Sequence, residues 1–267
     1  MALKDIDETQ APLLDHLIEL RGRLVRCVAA LAVAFGICLY FAEPILGFLV
    51  APLTDAFPEG EGQLIFTKLY EVFFVELKVA LFAGFFVSFP IIANQLWAFV
   101  APGLYAREKR AFLPFLVATP VLFTAGGALA YYVVMPTAFR WFLGFEGEAG
   151  GLTIEALPSA GDYLSLVMQF ILAFGISFLL PVLLLLLNRA GIVSRAQLVS
   201  ARRYVIVGAV ALAAIVTPPD PGSQLLLAIP LLFLFEGSLL IMWLGERKKR
   251  KDANDSHPIA KSGQQSD

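Results

Sequence analysis

Residues 163–187 read YLSLVMQFILAFGISFLLPVLLLLL, without one charged side chain, and the run is closed at once by Asn188 and Arg189. As a helix rising 1.5 Å per residue this stretch is about 37 Å long, more than the roughly 30 Å of a bilayer's hydrocarbon. Outward from it lie five more apolar runs, at residues 24–42, 72–100, 111–135, 204–216 and 225–244. Six spanning helices are expected. In lipid only a helix or a closed barrel satisfies the backbone internally, and runs of this length without alternation exclude barrel strands.

Composition agrees. Of the 267 residues 58% are hydrophobic and 16% charged, whereas a soluble domain keeps about a quarter charged. One membrane domain, residues 1–245, accounts for the chain, followed by a polar tail over 246–267 that reads as disordered. The expected fold class is all-α: a polytopic, cupped bundle of six transmembrane helices.

The net charge of −2 hides a sorted pattern. Every Lys and Arg except Lys68, Lys78 and Arg140 lies before or at the very start of the first run, between the second and third, between the fourth and fifth, or after the sixth. The remaining loops carry Asp55, Glu59, Glu61, Glu146, Glu148, Glu155 and Asp220. Short loops retained on the cytoplasmic side are enriched in Lys and Arg, so both termini are expected there, and the protein in a bacterial inner membrane. Residues 1–10 are acidic and no small-residue cleavage site follows, so the first run reads as an uncleaved anchor. Cys27 and Cys38 are too far apart along a helix to pair and read as packing residues.

Ahead of the first span, Leu13, Leu17, Leu20 and Leu24 share one helical face opposite Asp15, Glu19, Arg23 and Arg26, an amphipathic helix suited to the membrane interface. Pro44, Pro52 and Pro58 break the connection between the first two spans. With the loop over 136–162 it is expected to form an outer cap of short helices. Pro90, Pro114, Pro120, Pro181 and Pro230 each remove a backbone hydrogen bond within or near a span and predict kinks. Gly126 with Ala130, Ala173 with Ser177, and Ala209 with Ala213 repeat at four-residue spacing, which lets helices approach closely. Residues 204–216 would be only about 20 Å long as a helix. Beside this span, joined to the last by a turn over 217–222, the bilayer is expected to thin.

Two histidines, His16 and His257, leave no material for a histidine metal site or a Ser-His-Asp triad, and there is no phosphate-binding glycine loop. Neither metal, cofactor nor catalysis is expected, and the basic run at 247–251 reads as a lipid-surface anchor rather than a nucleic-acid site. The polar residues that remain carry the interest. Glu236, within the last span, requires an interior position, a proton or a donor; it is either a hydrogen-bonded clamp or a site for ions, protons or partner helices. Gln224 and Gln169 suit interhelical hydrogen bonding. Glu19 stands four residues before Arg23, and Glu108 between Arg107 and Lys109, so surface ion pairing alone would account for both.

The run His16-Leu17-Ile18-Glu19-Leu20-Arg21 and the run Trp97-Ala98-Phe99-Val100-Ala101-Pro102-Gly103-Leu104-Tyr105 with Glu108 resemble the TatC family, the core membrane subunit of the twin-arginine protein translocase. So do residues 173–178 with Pro181, and Thr217-Pro218-Pro219-Asp220 with Ser223-Gln224 and Phe235-Glu236. The resemblance implies six helices with both ends inside, cupped, acting as receptor and scaffold in export of folded proteins driven by the proton-motive force. It implies that Glu19 and Glu108, with Phe99 and Arg21 beside them, bind the paired arginines of a signal peptide. It also implies that Gln224, Thr217 and Glu236 meet single-span partners of the TatA and TatB types in an oligomeric complex. Pro52, Phe73 and Lys78 match family positions more loosely, and Leu179 stands where many relatives carry Glu. The alternative reading is a secondary transporter of a small solute or ion, suggested by Glu236 and the broken helices.

Overall fold

The computed structural model describes residues 4–57, 63–104, 113–216 and 221–255. Five segments are long and apolar enough to span a membrane, Leu17–Tyr40, Glu71–Phe99, Pro114–Leu143, Ala160–Arg189 and Gln224–Arg247. A sixth apolar helix, Arg202–Val216, is the short one. Apart from one small hairpin the architecture of the described residues is helical. The chain folds as two compact units, Met1–Leu179 and Leu180–Asp267.

The first unit is built on α1 (Lys4–Tyr40) packed against α3 (Glu71–Leu104). The amphipathic segment and the first span are one continuous helix, so the separate interfacial helix suggested by the leucine pattern is instead the first turns of α1. The packed stripe of α1 runs through Arg23, Cys27, Ala30, Ala34 and Cys38, and both cysteines are free thiols within it. Gly84 of α3 is so close that a Cβ there would lie 2.9 Å from the Cα and N of Phe35. A helical glycine costs about 0.5–1 kcal/mol relative to alanine, and this close approach is what that cost permits.

The second close approach joins α4 (Leu113–Leu129) to α6 (Ala160–Ser177). A Cβ at Gly126 would collide with the carbonyl of Phe174, and one at Gly175 would lie 2.8 Å from the ring of Phe123. Phe123 is fully buried and stacks on Phe89 at 3.7 Å between ring centroids, with Phe85 and Phe86 also against it. Nearby, the indole of Trp97 donates to Thr119 Oγ1 at 2.7 Å, tying α3 to α4. Of the small-residue pairs read from sequence, Gly126, Ala130 and Ser177 are buried as expected. On α6 the glycine closed against Phe123 of α4 is Gly175, which four-residue spacing does not single out.

Proline accounts for the irregular helices. Pro136 cannot donate to the Tyr132 carbonyl, and the third span widens into a π turn over Ala130–Val134 before continuing as α5 (Met135–Leu143). The span therefore passes residue 135, and the expected loop from Pro136 begins as helix. Beyond it Gly147–Ala149 (β1) and Leu152–Ile154 (β2) form an antiparallel hairpin. Gly150 and Gly151 turn it at φ 64° and 88°, conformations that L side chains rarely adopt. A strand hairpin thus replaces the short helix expected there; the other connection does form one, α2 (Ala42–Thr54), with Pro52 buried inside it.

This end of the first unit is stitched by hydrogen bonds. Tyr163 donates to the Leu49 carbonyl at 2.9 Å and Tyr131 to that of Phe48, fastening α2. Ile65 bridges to the start of α6, its N–H donating to Pro158 O and its carbonyl accepting from Ala160 N. Glu71, at the first turn of α3, accepts from the Thr67 hydroxyl, from the N–H groups of Thr67 and Lys68, and from Gly161 N at 2.8 Å. One carboxylate thereby satisfies amides at the starts of two helices, where the dipole also favours an anion.

In the second unit α7 (Leu180–Arg189) follows the break at Phe178 and Leu179, where Pro181 leaves the Ser177 carbonyl without its helical donor. The short helix α8 (Arg195–Ser200) opens with a capping box between Ser194 and Gln197. Its Leu198 joins Phe235, Leu239 and Met242 in a core covered by Leu180, Leu184, Leu185, Val193 and Val205. The helix α9 (Arg202–Val216) buries Ala209 and Ala213, the pair marked by spacing, against α10 (Pro221–Asp255). That last helix runs to Asp255, ten residues past the boundary at 245 suggested by composition. Residues 256–267 of the expected tail lie outside the described residues.

Gly126→Leu is expected to lower stability by about 1–3 kcal/mol or more, because the Phe174 backbone of α6 and the Cβ of Phe178 just after it cannot both retreat. Gly36→Ala, at a position with nothing within 4 Å of the added methyl, is expected to cost nothing. Thermal unfolding of both variants in detergent checks the contrast, and equal midpoints would contradict this account of the α4–α6 contact.

Candidate functional site

On α1 the Glu19 carboxylate is held by Arg23, one turn on. Arg23 Nε lies 3.1 Å and Nη2 2.5 Å from the same oxygen, Oε1. Arg23 belongs to the packed stripe and its side chain is 19% exposed, whereas that of Glu19 is 42% exposed. One turn further, Arg26 Nη1 reaches Gln95 Oε1 of α3 at 3.5 Å. As α3 advances from Gly84 to Gln95, its neighbours on α1 fall back from Phe35 to Arg26, so the pair is antiparallel. Extending that register by about one turn sets Phe99 level with Gly22, between Glu19 and Arg26.

The structure therefore brings Glu19 and Phe99 to one end of the α1–α3 pair, and Arg21 is exposed on α1 at the same height. Glu108, with the rest of residues 105–112, lies outside the described residues. Spacing marks Arg23 only as a neighbour able to occupy Glu19. It is the residue that does so.

The second set of candidates lies on the α9–α10 hairpin. Gln224 Nε2 donates to the Val210 carbonyl at 3.2 Å, the interhelical bond its amide suits. Glu236 meets Arg202 at 2.7 Å, with both side chains half exposed. Of the possibilities for Glu236, the observed one is a clamp with a cationic donor. Thr217 lies outside the described residues. Leu179 sits in the break after α6, its N–H bonded to Ile176 O. Arg202 has the look of a loop cation in sequence, yet the antiparallel packing of α9 on α10 that sets Gln224 against Val210 must also place residue 202 beside 236. Glu71 escapes sequence reasoning for a different reason: its partners, Thr67 and Gly161, are distant from each other along the chain.

The family model for the Sec-independent protein translocase protein TatC matches residues 15–230. The chain belongs to the TatC family. Among its relatives, the Sec-independent protein translocase protein TatC of Magnetococcus marinus is 52% identical over 242 residues, covering 91% of this chain and 88% of that protein. The TatC of Escherichia coli is 40% identical over 249 residues, 92% of this chain and 94% of its own length. A crystal structure described as the twin-arginine translocase receptor TatC superposes with a TM-score of 0.74 at 40% identity, covering 86% of this chain and 98% of that one. This TatC-family chain is a multi-pass membrane protein of the Sec-independent protein translocase.

For the Arg202–Glu236 clamp, Arg202→Gln and Glu236→Gln are each expected to lower the unfolding midpoint, and the double variant to recover part of the loss. The coupling should be about 1 kcal/mol or less if water reaches the pair. A thermal-unfolding double-mutant cycle measures it, and strictly additive losses would show that the pair does not interact.

Proposed function

We propose that this protein is the receptor and scaffold subunit of a twin-arginine translocase, binding the twin-arginine signal peptides of exported folded proteins at the cytoplasmic face. It lies in a bacterial inner membrane with both termini inside, and it assembles into an oligomeric complex with single-span TatA-type and TatB-type subunits that uses the proton-motive force. Membership of the TatC family supports this reading, and the observation that carries it is the position of Glu19. Its carboxylate stands half exposed, already engaged by a guanidinium, at the level of Phe99 on the neighbouring helix.

A planar guanidinium pairs with a carboxylate through two parallel N–H donors, which an ammonium cannot reproduce. Neighbouring arginines of an extended peptide point to opposite sides, so acids on separate segments, Glu19 on α1 and Glu108 in the stretch of sequence between α3 and α4, suit the two of them. Phe99 offers an aromatic surface at this height, and Arg21 sets the local charge. The role is non-catalytic and uses no metal, cofactor or nucleic acid.

Gln224, Thr217 and Glu236 are assigned to the surface that meets a partner helix. The α9 helix has 15 residues and is about 22 Å long, against hydrocarbon of about 30 Å. A short helix with polar groups at both ends favours a thinned bilayer beside it. Lipid headgroup layers at ordinary separation around α9, in a reconstruction of the protein in nanodiscs, would contradict that. The transporter alternative draws on an intramembrane acid awaiting a ligand, and Arg202 meets that acid.

The receptor reading is tested by the affinity of a synthetic twin-arginine peptide and its Lys-Lys variant for the purified protein. Glu19→Ala and Glu108→Ala are each expected to weaken the twin-arginine peptide about tenfold or more, the scale of a lost charge-assisted hydrogen bond. Equal affinity for both peptides and all variants would overturn the reading.

A further inference from the structure

We propose that Arg23 is a resident guanidinium that occupies Glu19 in the empty receptor and is displaced by a peptide arginine, so that the site is filled by exchange and its apparent affinity is set by how firmly Arg23 holds the carboxylate. The inference rests on the receptor reading above and concerns how that site is regulated.

Three observations carry it. The first is the asymmetry of the pair: both Arg23 donors converge on Oε1, leaving Oε2 without a hydrogen bond among the described residues. The strongest arginine–carboxylate arrangement uses both oxygens in a side-by-side fork, and Arg23 does not make it. A visiting guanidinium can therefore engage Oε2 first and complete the fork as Arg23 releases Oε1.

The second is the difference in exposure. Arg23 projects from the stripe of α1 that packs on α3, with 19% of its side chain exposed, while Glu19 stands outside that stripe with 42% exposed. The acid is the accessible partner and the arginine the anchored one. A ligand approaching from solvent meets the carboxylate, with the resident cation behind it.

The third is strength. An exposed ion pair at i, i+4 is among the weaker electrostatic contacts in proteins. Such a pair orients the carboxylate yet yields to a ligand that brings a better fork. Occupancy of Glu19 by Arg23 lowers apparent affinity by the fraction of time the site is closed. The penalty is the same factor for any ligand that needs the freed carboxylate, so a preference for arginine over lysine comes from the fork that a bound guanidinium makes with Glu19 and an ammonium cannot. Arg23 thus acts as an internal competitor that sets affinity through Glu19, not as a direct contact of the peptide.

The experiment is a cycle of Arg23→Gln and Glu19→Gln in the full-length protein, titrated with the twin-arginine peptide and its Lys-Lys variant. Arg23→Gln is expected to tighten the twin-arginine peptide about two- to fivefold and the Lys-Lys peptide by the same factor, so that the ratio of the two affinities is unchanged. In the Glu19→Gln background the same substitution is expected to change neither. Weaker or unchanged binding by Arg23→Gln, or a gain that persists without the Glu19 carboxylate, would each overturn the exchange. Those results leave the receptor reading standing, whereas full-strength binding by Glu19→Gln itself overturns both. Arg23→Lys, which keeps the charge and loses the fork, is expected to fall between wild type and Arg23→Gln and carries the same cycle should the glutamine variant not fold.

Discussion

Hydrocarbon offers a peptide group nothing to hydrogen-bond, and an unsatisfied backbone amide or carbonyl there costs several kcal/mol. Each run through the bilayer must therefore close its own hydrogen bonds, and the irregularities of this protein fall where proline forbids that. At Pro136 the third span absorbs the missing donor by widening into a π turn. At Pro181 the fourth span stops and restarts, and the chain passes there from one compact unit to the other. Pro120 and Pro230, by contrast, lie inside helices that continue around them. The same chemical deficit thus gives a bulge, a break or an uninterrupted helix, depending on what neighbouring groups supply.

Once the backbone is satisfied internally, lipid gives helices little hydrophobic reason to associate, and contact depends on how closely they can pack. Gly84 against Phe35, Gly126 against Phe174 and Gly175 against Phe123 are places where backbones or rings meet with no room for a methyl group. Large rings fill the space so created, with Phe123 at the centre of a set drawn largely from α3. The α9–α10 contact follows the same rule with fewer resources: Ala209 and Ala213 are its buried small residues and Gln224 supplies its hydrogen bond.

What is legible in the sequence follows from this physics. The long spans, the short α9, the alanine pair and the packing role of the cysteines are consequences of local composition and period, and each is present. The hairpin over 147–154 is not legible as strand, because two three-residue strands turned by Gly150-Gly151 give too short an alternation against a glycine-rich background. Nor is the length of α10 beyond 245, where a polar composition that suits a disordered tail equally suits a solvated helix continuing an existing one. Of the site residues, Glu19, Phe99, Gln224 and Glu236 stand out by residue type and resemblance. Their partners do not: Arg23 is one of several possible neighbours, Arg202 emerges only from the geometry of the hairpin, and the donors to Glu71 come from segments far apart in sequence.

The two ion pairs show how similar chemistry separates into different roles. Arg202 and Glu236 come from different helices, so neither can be freed without disturbing the α9–α10 contact, and half exposure of both leaves whatever surrounds the hairpin in touch with the pair. Arg23 and Glu19 share one helix, so α1 persists whether or not they are joined, and the exposed member is the acid. A pair whose breaking disturbs the fold little can be given up to a ligand; a pair that spans two helices is better suited to holding them in register. By that criterion the basic end of α1 is where exchange meets least resistance. It is also where this sequence concentrates arginine: Arg21, Arg23 and Arg26 stand within six residues, so a visiting pair of guanidinium groups meets a surface that already repels it unless Glu19 is released to receive it.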